Sequence, residues 1–119
     1  MADWARPVVF FEVRGRDQKR LRDFYIELFN WHADDQRAPG LTFVAPGVGP
    51  PEEGIGGAIA PGDAPGVSVY VQVANLRESI EKAERLGGKK VMDPVDVPNG
   101  PTIARIADPE GNLVGLVQQ

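Results

Sequence analysis

The chain has 119 residues, the size of a single domain, and 42% of them are hydrophobic, so a real core can form. Thirteen basic residues stand against seventeen acidic ones without any basic run, which argues against a nucleic-acid partner. Cysteine is absent, which excludes disulfides and thiolate metal sites, and no apolar stretch reaches membrane-span length, so we expect a cytoplasmic protein without a membrane partner.

The first predicted elements are a strand and a helix. Residues 8–13 are rich in β-branched and aromatic side chains, which favours a strand. Asp17 is the expected N-cap of the helix, and Asn30 is its expected end. Apolar residues recur between them at helical spacing and predict one buried stripe, made of Leu21, Phe24, Tyr25, Leu28 and Phe29.

Three further strands are predicted in the first half of the chain, over 31–35, 41–45 and 55–60. The last of them is rich in glycine, which weakens a strand or admits a close neighbour. Proline and glycine punctuate residues 46–54, a predicted loop, and residues 61–66, the predicted linker. The first module is therefore expected to cover about residues 7–60.

The same order of elements repeats over residues 67–119. Residues 67–73 alternate as a strand should, and Asn75 with Glu78 predicts a helix N-terminus with a capping box. Gly87 is expected to end that helix. The predicted buried stripe consists of Leu76, Ile80, Ala83 and Leu86.

Strands are then predicted over 89–97, 102–107 and 113–117. Asp108-Pro109-Glu110-Gly111 joins the last two, and its residue types suit a tight turn at each position. The whole pattern, strand–helix–strand–strand–strand repeated twice, predicts an α+β fold.

Several stretches resemble the vicinal oxygen chelate superfamily of glyoxalases, bleomycin-resistance proteins and extradiol dioxygenases, most of all small bacterial glyoxalase-like proteins. They are Val9–Val13 with Asp17, Phe24-Tyr25 with Phe29-Asn30-Trp31, Tyr70 with Leu76 and Leu86-Gly87-Gly88, and Asp108–Asn112. The resemblance implies two βαβββ modules that form a curved mixed sheet, a half-barrel cup around a small ligand. It also implies a homodimer.

The resemblance further implies four metal-ligand positions, one in the first and one in the last strand of each module. In this sequence they fall on Val8, Ser68, Gly57 and Gly115. A catalytic cation needs about three protein ligands, mostly histidine or carboxylate, and none of these residues is of that kind. The single histidine, His32, follows the first helix instead. We therefore predict no metal and no other cofactor.

Strand alternation extends the implied inner face to neighbouring residues of the same strands, and the resemblance places Ile103 and Arg105 inward in the seventh strand. The predicted ligand-binding set has an apolar part and a polar part, and it comprises Val8, Phe10, Ile103, Leu113, Glu12, Ser68, Tyr70, Gln72, Arg105 and Gly115. A buried Glu12 would need a partner, for which Arg105 is the candidate. Glu12 is alternatively a group that recognises a ligand cation, or a catalytic general base.

The leading functional hypothesis is a protein that binds or sequesters a small organic molecule, cationic or aromatic, in its cup. Three alternatives stay open. One is a metal-dependent lyase, isomerase or dioxygenase of the glyoxalase type. Another is a metal-free enzyme that uses Glu12, with Arg105 or Tyr70 stabilising the developing oxyanion. The third is a partner-binding module whose pocket is filled by its own side chains.

Overall fold

A computed structural model describes residues 4–45, 54–98 and 100–118, so the predicted loop lies almost wholly outside the described residues. The chain divides into two compact units. One is Phe10–Val67, and the other joins the segment that ends at Val9 to the chain from Ser68 onward. In the described part, neither helix has the length and apolar character needed to span a membrane.

Module one contains four strands and one helix. Its elements are β1 (Val8–Gly15), α1 (Gln18–Phe29), β2 (His32–Asp34), β3 (Thr42–Ala45) and β4 (Gly57–Pro61). The strands lie in the order β2-β3-β4-β1, with β4 parallel to β1 and the other two pairs antiparallel. The predicted order of elements is confirmed.

The ends of α1 are fixed by the residues that the sequence indicated. The Asp17 side chain accepts a hydrogen bond from the Arg20 N–H at 3.1 Å, which satisfies one donor of the first turn. Asn30 ends the helix in the left-handed conformation, with a φ of 55°. Both of these predictions are confirmed.

The predicted buried stripe of α1 is wrong in part. Leu21 and Tyr25 are half-buried, whereas Phe24, Leu28 and Phe29 are 56%, 58% and 52% exposed. The helix meets the sheet along a narrower strip that includes a polar residue. The Gln18 amide donates to Thr42 Oγ1 at 3.0 Å and to the Ile59 carbonyl at 3.2 Å.

A polar network fixes the start of β3 to α1. The Arg22 guanidinium donates to both oxygens of Asp35, and the Thr42 hydroxyl donates to Asp35 Oδ1. The hydrogen bond from Arg22, followed by that from Thr42, lowers the pKa of Asp35 from 3.8 to about 2. Asp35 in turn raises the pKa of Arg22.

We expect Asp35→Asn to lower the free energy of unfolding at pH 7. The loss should be below about 1 kcal/mol, because the Asp35 side chain is 40% exposed and water screens the pair. Since folding lowers this pKa, the stabilisation is complete above 3.8 and is lost as the pH falls towards about 2. Urea unfolding of both proteins from pH 7 down to pH 2 should therefore show their difference shrinking in that window.

Asp34→Asn is the matched control, because the amide oxygen can still accept the hydrogen bond from the Gln36 N–H. A difference between wild type and Asp35→Asn that stays constant from pH 7 to pH 2 would exclude the Arg22 pair as its source.

Module two repeats the arrangement. Its elements are β5 (Gly66–Gln72), α2 (Leu76–Arg85), β6 (Lys89–Asp96), β7 (Thr102–Ala107) and β8 (Leu113–Gln118). The strands lie in the order β5-β8-β7-β6, with β5 parallel to β8 and the other pairs antiparallel. The predicted α+β class and the repeated strand–helix–three-strand plan are thus confirmed.

The core of module two lies between α2 and one face of its sheet. It consists of Val73, Leu76, Ile80, Ala104 and Leu116, with Ile106 packed against them. Asn75 caps α2 by accepting from the Glu78 N–H at 3.0 Å, and Gly87 follows the helix with a φ of 99°. Both end signals are confirmed.

Leu86 was predicted to be buried, but it is 69% exposed. The helix ends at Arg85, so Leu86 lies at the capping position, where its backbone N–H bonds to the Lys82 and Ala83 carbonyls. Its side chain is thus beyond the helical turns that pack on the sheet.

The predicted turn between β7 and β8 is confirmed. Asp108 Oδ1 accepts from the Glu110 N–H at 2.9 Å and from the Asn112 N–H at 2.8 Å, and Gly111 has a φ of 90°. The turn fixes a hairpin register that runs from Thr102 opposite Gln118 to Ala107 opposite Leu113.

Candidate functional site

The strand register of module two places one set of predicted site residues on a common sheet face. Arg105 and Tyr70 both lie opposite Gly115, whereas Ala104 and Leu116 face α2. Because side chains alternate along each strand, the face away from α2 carries the predicted residues of this module. We call it the helix-free face of module two: Ser68, Tyr70, Gln72, Ile103, Arg105, Leu113 and Gly115.

The centre of this face is a tyrosine–arginine pair. Arg105 Nε and Nη2 donate to the Tyr70 hydroxyl oxygen at 3.1 and 2.9 Å, and Arg105 Nη1 lies 3.8 Å from Met92 Sδ. Tyr70 is 3% exposed, and Arg105 is half-buried. Two donors on one acceptor fix the plane of the guanidinium, so the face carries a positive charge in a defined orientation.

The lack of a side chain at Gly115 leaves room for the Tyr70 ring. A Cβ atom at position 115 would lie 2.3 Å from Tyr70 Cδ2 and 2.5 Å from Tyr70 Cγ, far inside van der Waals contact. The ring therefore fills the space that any side chain at this position would enter. Ser68 lies two residues before Tyr70 in β5, on the same face of the sheet, and is also buried, with 5% exposure.

Module one also has a face away from its helix. The other face packs against α1, as shown by Gly15, where a Cβ would lie 3.0 Å from Leu21 Cδ2, and by the Gln18–Thr42 hydrogen bond. Alternation along β1 then places Val8, Phe10 and Glu12 on the face away from α1. The Phe10 and Phe43 rings lie 6.3 Å apart, and the Arg37 guanidinium lies 4.5 Å from the Phe43 ring centroid.

Glu12 is buried, with 6% exposure, and the structure supplies a cation from its own strand. Arg14 Nη1 donates to Glu12 Oε1 at 2.9 Å. This cation is Arg14 and not only the Arg105 that the sequence indicated. The signal was available, because residues two apart in a strand point to the same side of a sheet.

Comparison of the sequence with protein-family models shows the family to which the chain belongs. The model of a family described as "Glyoxalase-like domain" matches residues 9–117, nearly the whole chain. The chain belongs to the glyoxalase-like domain family. The predicted membership of the vicinal oxygen chelate superfamily is therefore confirmed.

Relatives of this glyoxalase-like protein include a "Glyoxylase-like domain-containing protein" from Didymella fabae. It is 30% identical over 111 residues, which cover 85% of this chain and 84% of the relative. "Putative glyoxylase CFP32" from Mycobacterium bovis is 30% identical over 114 residues. That match covers 90% of this chain but 43% of the relative, so the chain spans less than half of that protein.

Solved structures show the same fold. A glyoxalase/bleomycin resistance protein/dioxygenase superfamily member from Vibrio splendidus 12B01 matches with a TM-score of 0.65 at 12% identity, covering 97% of this chain and 100% of that one. Methylmalonyl-CoA epimerase (Q60A) from Streptomyces coelicolor matches with a TM-score of 0.64 at 15% identity, covering 98% and 99%. At such identities the likeness concerns the fold alone.

The metal positions implied by the superfamily can now be tested in this glyoxalase-like protein. One assigned position is wrong: Gly57 lies on the face towards α1, where its Cβ would be 2.4 Å from the Phe11 ring. The glycine-rich segment has no side-chain alternation to set its register, which explains the slip by one residue. Its neighbours along the strand, Gly56 and Ala58, carry no ligand atoms either.

The remaining three positions assigned to metal ligands do not carry metal-binding side chains either. Val8, Ser68 and Gly115 supply one hydroxyl group and no imidazole or carboxylate. Throughout the residues that the structure describes, no group of three or more histidine, cysteine, aspartate or glutamate side chains could hold a metal ion. The residues present therefore do not fit the superfamily's catalytic metal.

Proposed function

We propose that this glyoxalase-like protein binds a small organic molecule on the helix-free face of module two, with protein side chains in place of a metal. The observation that carries the proposal is the Arg105–Tyr70 pair beside Gly115, at 2.9 and 3.1 Å. It puts a fixed guanidinium next to Gly115, a position that the superfamily resemblance assigns to a metal ligand. Ile103 and Leu113 supply apolar surface nearby, as small-molecule sites usually require.

The chemistry of Arg105 favours a ligand that carries an oxyanion. A guanidinium presents planar N–H donors that match the two oxygens of a carboxylate. The net charge of −4 had favoured a cationic ligand, with Glu12 as the group to recognise it, but Arg14 pairs with Glu12 within β1. A carboxylate on an apolar or aromatic skeleton is therefore the ligand class that we propose, with Tyr70 and Arg105 sharing its oxygens.

The metal-dependent lyase, isomerase and dioxygenase alternatives are less well supported. Each needs a cation held by several histidine or carboxylate side chains, and the positions that the superfamily uses have none. Binding by hydrogen bonds and apolar contact needs only the side chains on this face.

A thermal-shift screen with small aliphatic and aromatic carboxylates, each beside its neutral amide, tests the proposal. We expect carboxylates to raise the melting temperature, because a ligand of the folded state stabilises it by about 2.7 kcal/mol at one hundred times its dissociation constant. Arg105→Lys should weaken binding of the best carboxylate about tenfold, since lysine loses the two hydrogen bonds to Tyr70 that hold the guanidinium in place. Calorimetric titration measures that affinity.

Arg85→Lys, on the exposed surface of α2, is the matched control and should bind like wild type. Equal shifts for acids and amides, or no shift for any carboxylate, would refute the oxyanion site. Stoichiometric divalent metal in untagged protein, required for ligand binding, would instead revive the metal-dependent alternative.

A further inference from the structure

Met92 lies beside the arginine of the proposed ligand site. It is opposite Arg105 in the β6–β7 pair, and its Sδ accepts a hydrogen bond from Arg105 Nη1 at 3.8 Å. The other two nitrogens, Nε and Nη2, donate to the Tyr70 hydroxyl oxygen. One hydroxyl group and one thioether thus contact the three nitrogens, and the thioether is the weaker acceptor. A chemical change at Met92 would therefore act on Nη1 first.

A break in the alternation of β6 aims Met92 at this site. Lys90 lies opposite Ile106, which packs against the core between α2 and the sheet. In a regular strand Met92 would share the side of Lys90, because the two are two residues apart. The register shifts between them, and the extra residue, Val91, turns Met92 to the helix-free face opposite Arg105. A sequence pattern that assumes regular alternation misses this placement.

The Met92 thioether is within reach of a small oxidant. Its side chain is half-buried, and β6 is the outermost strand in the order of module two. The chain has no cysteine and one other methionine, Met1, which lies outside the described residues. Methionine thioethers are oxidised to sulfoxides, and sulfoxide reductases reverse the change. Met92 is therefore the sulfur atom that an oxidant meets in the described part of this chain.

We propose that Met92 is an oxidation site that controls ligand binding at Arg105, with a hydroperoxide as the oxidant. The peroxide transfers one oxygen atom to the sulfur. An S–O bond forms, the O–O bond breaks, the sulfur gives up two electrons, and water or an alcohol leaves with the proton. The sulfoxide oxygen is a stronger acceptor than the thioether, so it engages the Nη1 donor that a ligand carboxylate would use. This inference rests on the proposed function.

Peroxide treatment of the full chain, followed by peptide mass spectrometry, tests the modification. We expect a gain of one oxygen atom on Met92, reversed by a mixture of the two sulfoxide reductases that act on the two sulfoxide epimers. Calorimetric titration should show that oxidation weakens binding of the best carboxylate from the screen about tenfold, the usual effect of losing one hydrogen bond to a charged group. Reduction should restore the affinity.

Two substitutions separate the sulfoxide from general oxidative damage. Met92→Leu keeps a similar volume without an acceptor, so its affinity for the carboxylate should be the same before and after peroxide. This variant keeps Met1 and thus also controls for oxidation there. Met92→Gln places an amide oxygen near Arg105 without any oxidant, and it should bind the carboxylate about as weakly as the oxidised wild type does.

The Arg105 Nε–H resonance gives a readout that needs no ligand. Its hydrogen bond to Tyr70 slows exchange with water, and its absence in Arg105→Lys assigns it. Peroxide should shift it in wild type but not in Met92→Leu. Peroxide that leaves Met92 unmodified overturns the proposal, as does oxidation of Met92 that leaves the affinity unchanged. If no carboxylate binds the unoxidised protein, the proposed function fails by itself, and an unshifted resonance would then refute the contact between the sulfoxide and Arg105 as well.

Discussion

Substitution of Gly115 by alanine is expected to lower the free energy of unfolding by about 1–3 kcal/mol, and substitution by glutamate by more. The added Cβ would lie 2.3 Å from Tyr70 Cδ2, so the ring or the strand must move. The ring is held by two hydrogen bonds from Arg105, which restrict that movement. Glutamate would add a buried carboxylate to the crowding.

Urea unfolding of a double-mutant cycle measures this effect. Tyr70→Ala alone should cost about 3–5 kcal/mol, as loss of a buried aromatic ring usually does. Gly115→Ala should then cost far less in the Tyr70→Ala background, because the clashing ring is gone. Equal costs in both backgrounds would show that Tyr70 does not exclude a side chain from position 115.

This crowding explains why position 115 carries no ligand side chain in this chain. Tyr70 occupies the space beside Gly115, and Arg105 places a permanent positive charge against it. Metal binding at this position would require more than new ligands, because the ring must leave as well. The same kind of contact recurs in module one, where the Phe11 ring covers Gly57, but there it lies on the face towards α1.

The sequence predicted the local features of the fold well, because they depend on a few adjacent residues. Asp17 and Asn75 cap helices by accepting from backbone N–H groups three residues ahead, a contact that spacing alone specifies. Asp108 and Gly111 form their turn for the same reason. The turn fixes the register of β7 and β8, and the strand register of module two places seven predicted site residues on one sheet face.

Features that depend on packing between elements could not be predicted in the same way. Helical spacing identified the apolar side of α1, but it could not show that the sheet covers only part of that side and leaves Phe24 and Leu28 exposed. Gly57 was assigned to the wrong face because a strand of small residues carries no alternating pattern. The contact between Tyr70 and Gly115 can be recognised only in the three-dimensional structure, because 45 residues separate them in sequence.

Replacement of Glu12 by leucine is expected to lower the free energy of unfolding by about 3–5 kcal/mol, the usual cost of removing one member of a buried ion pair. Glu12 is 6% exposed, and its bond to Arg14 Nη1 is 2.9 Å long. The substitution leaves the Arg14 charge without this carboxylate in a largely buried place. Urea unfolding at pH 7 measures the loss.

The double variant Glu12→Leu with Arg14→Met separates the charge effect from packing. It should be more stable than Glu12→Leu alone, because apolar residues of similar size can replace an ion pair at little cost. A double variant that is no more stable than the single one would mean that Arg14 is not the cation that matters to Glu12.

Glu12→Gln, which keeps the shape and an oxygen acceptor, should retain carboxylate binding, since we place the ligand on Arg105. Loss of binding in that variant, with stability unchanged, would move the ligand site to Glu12.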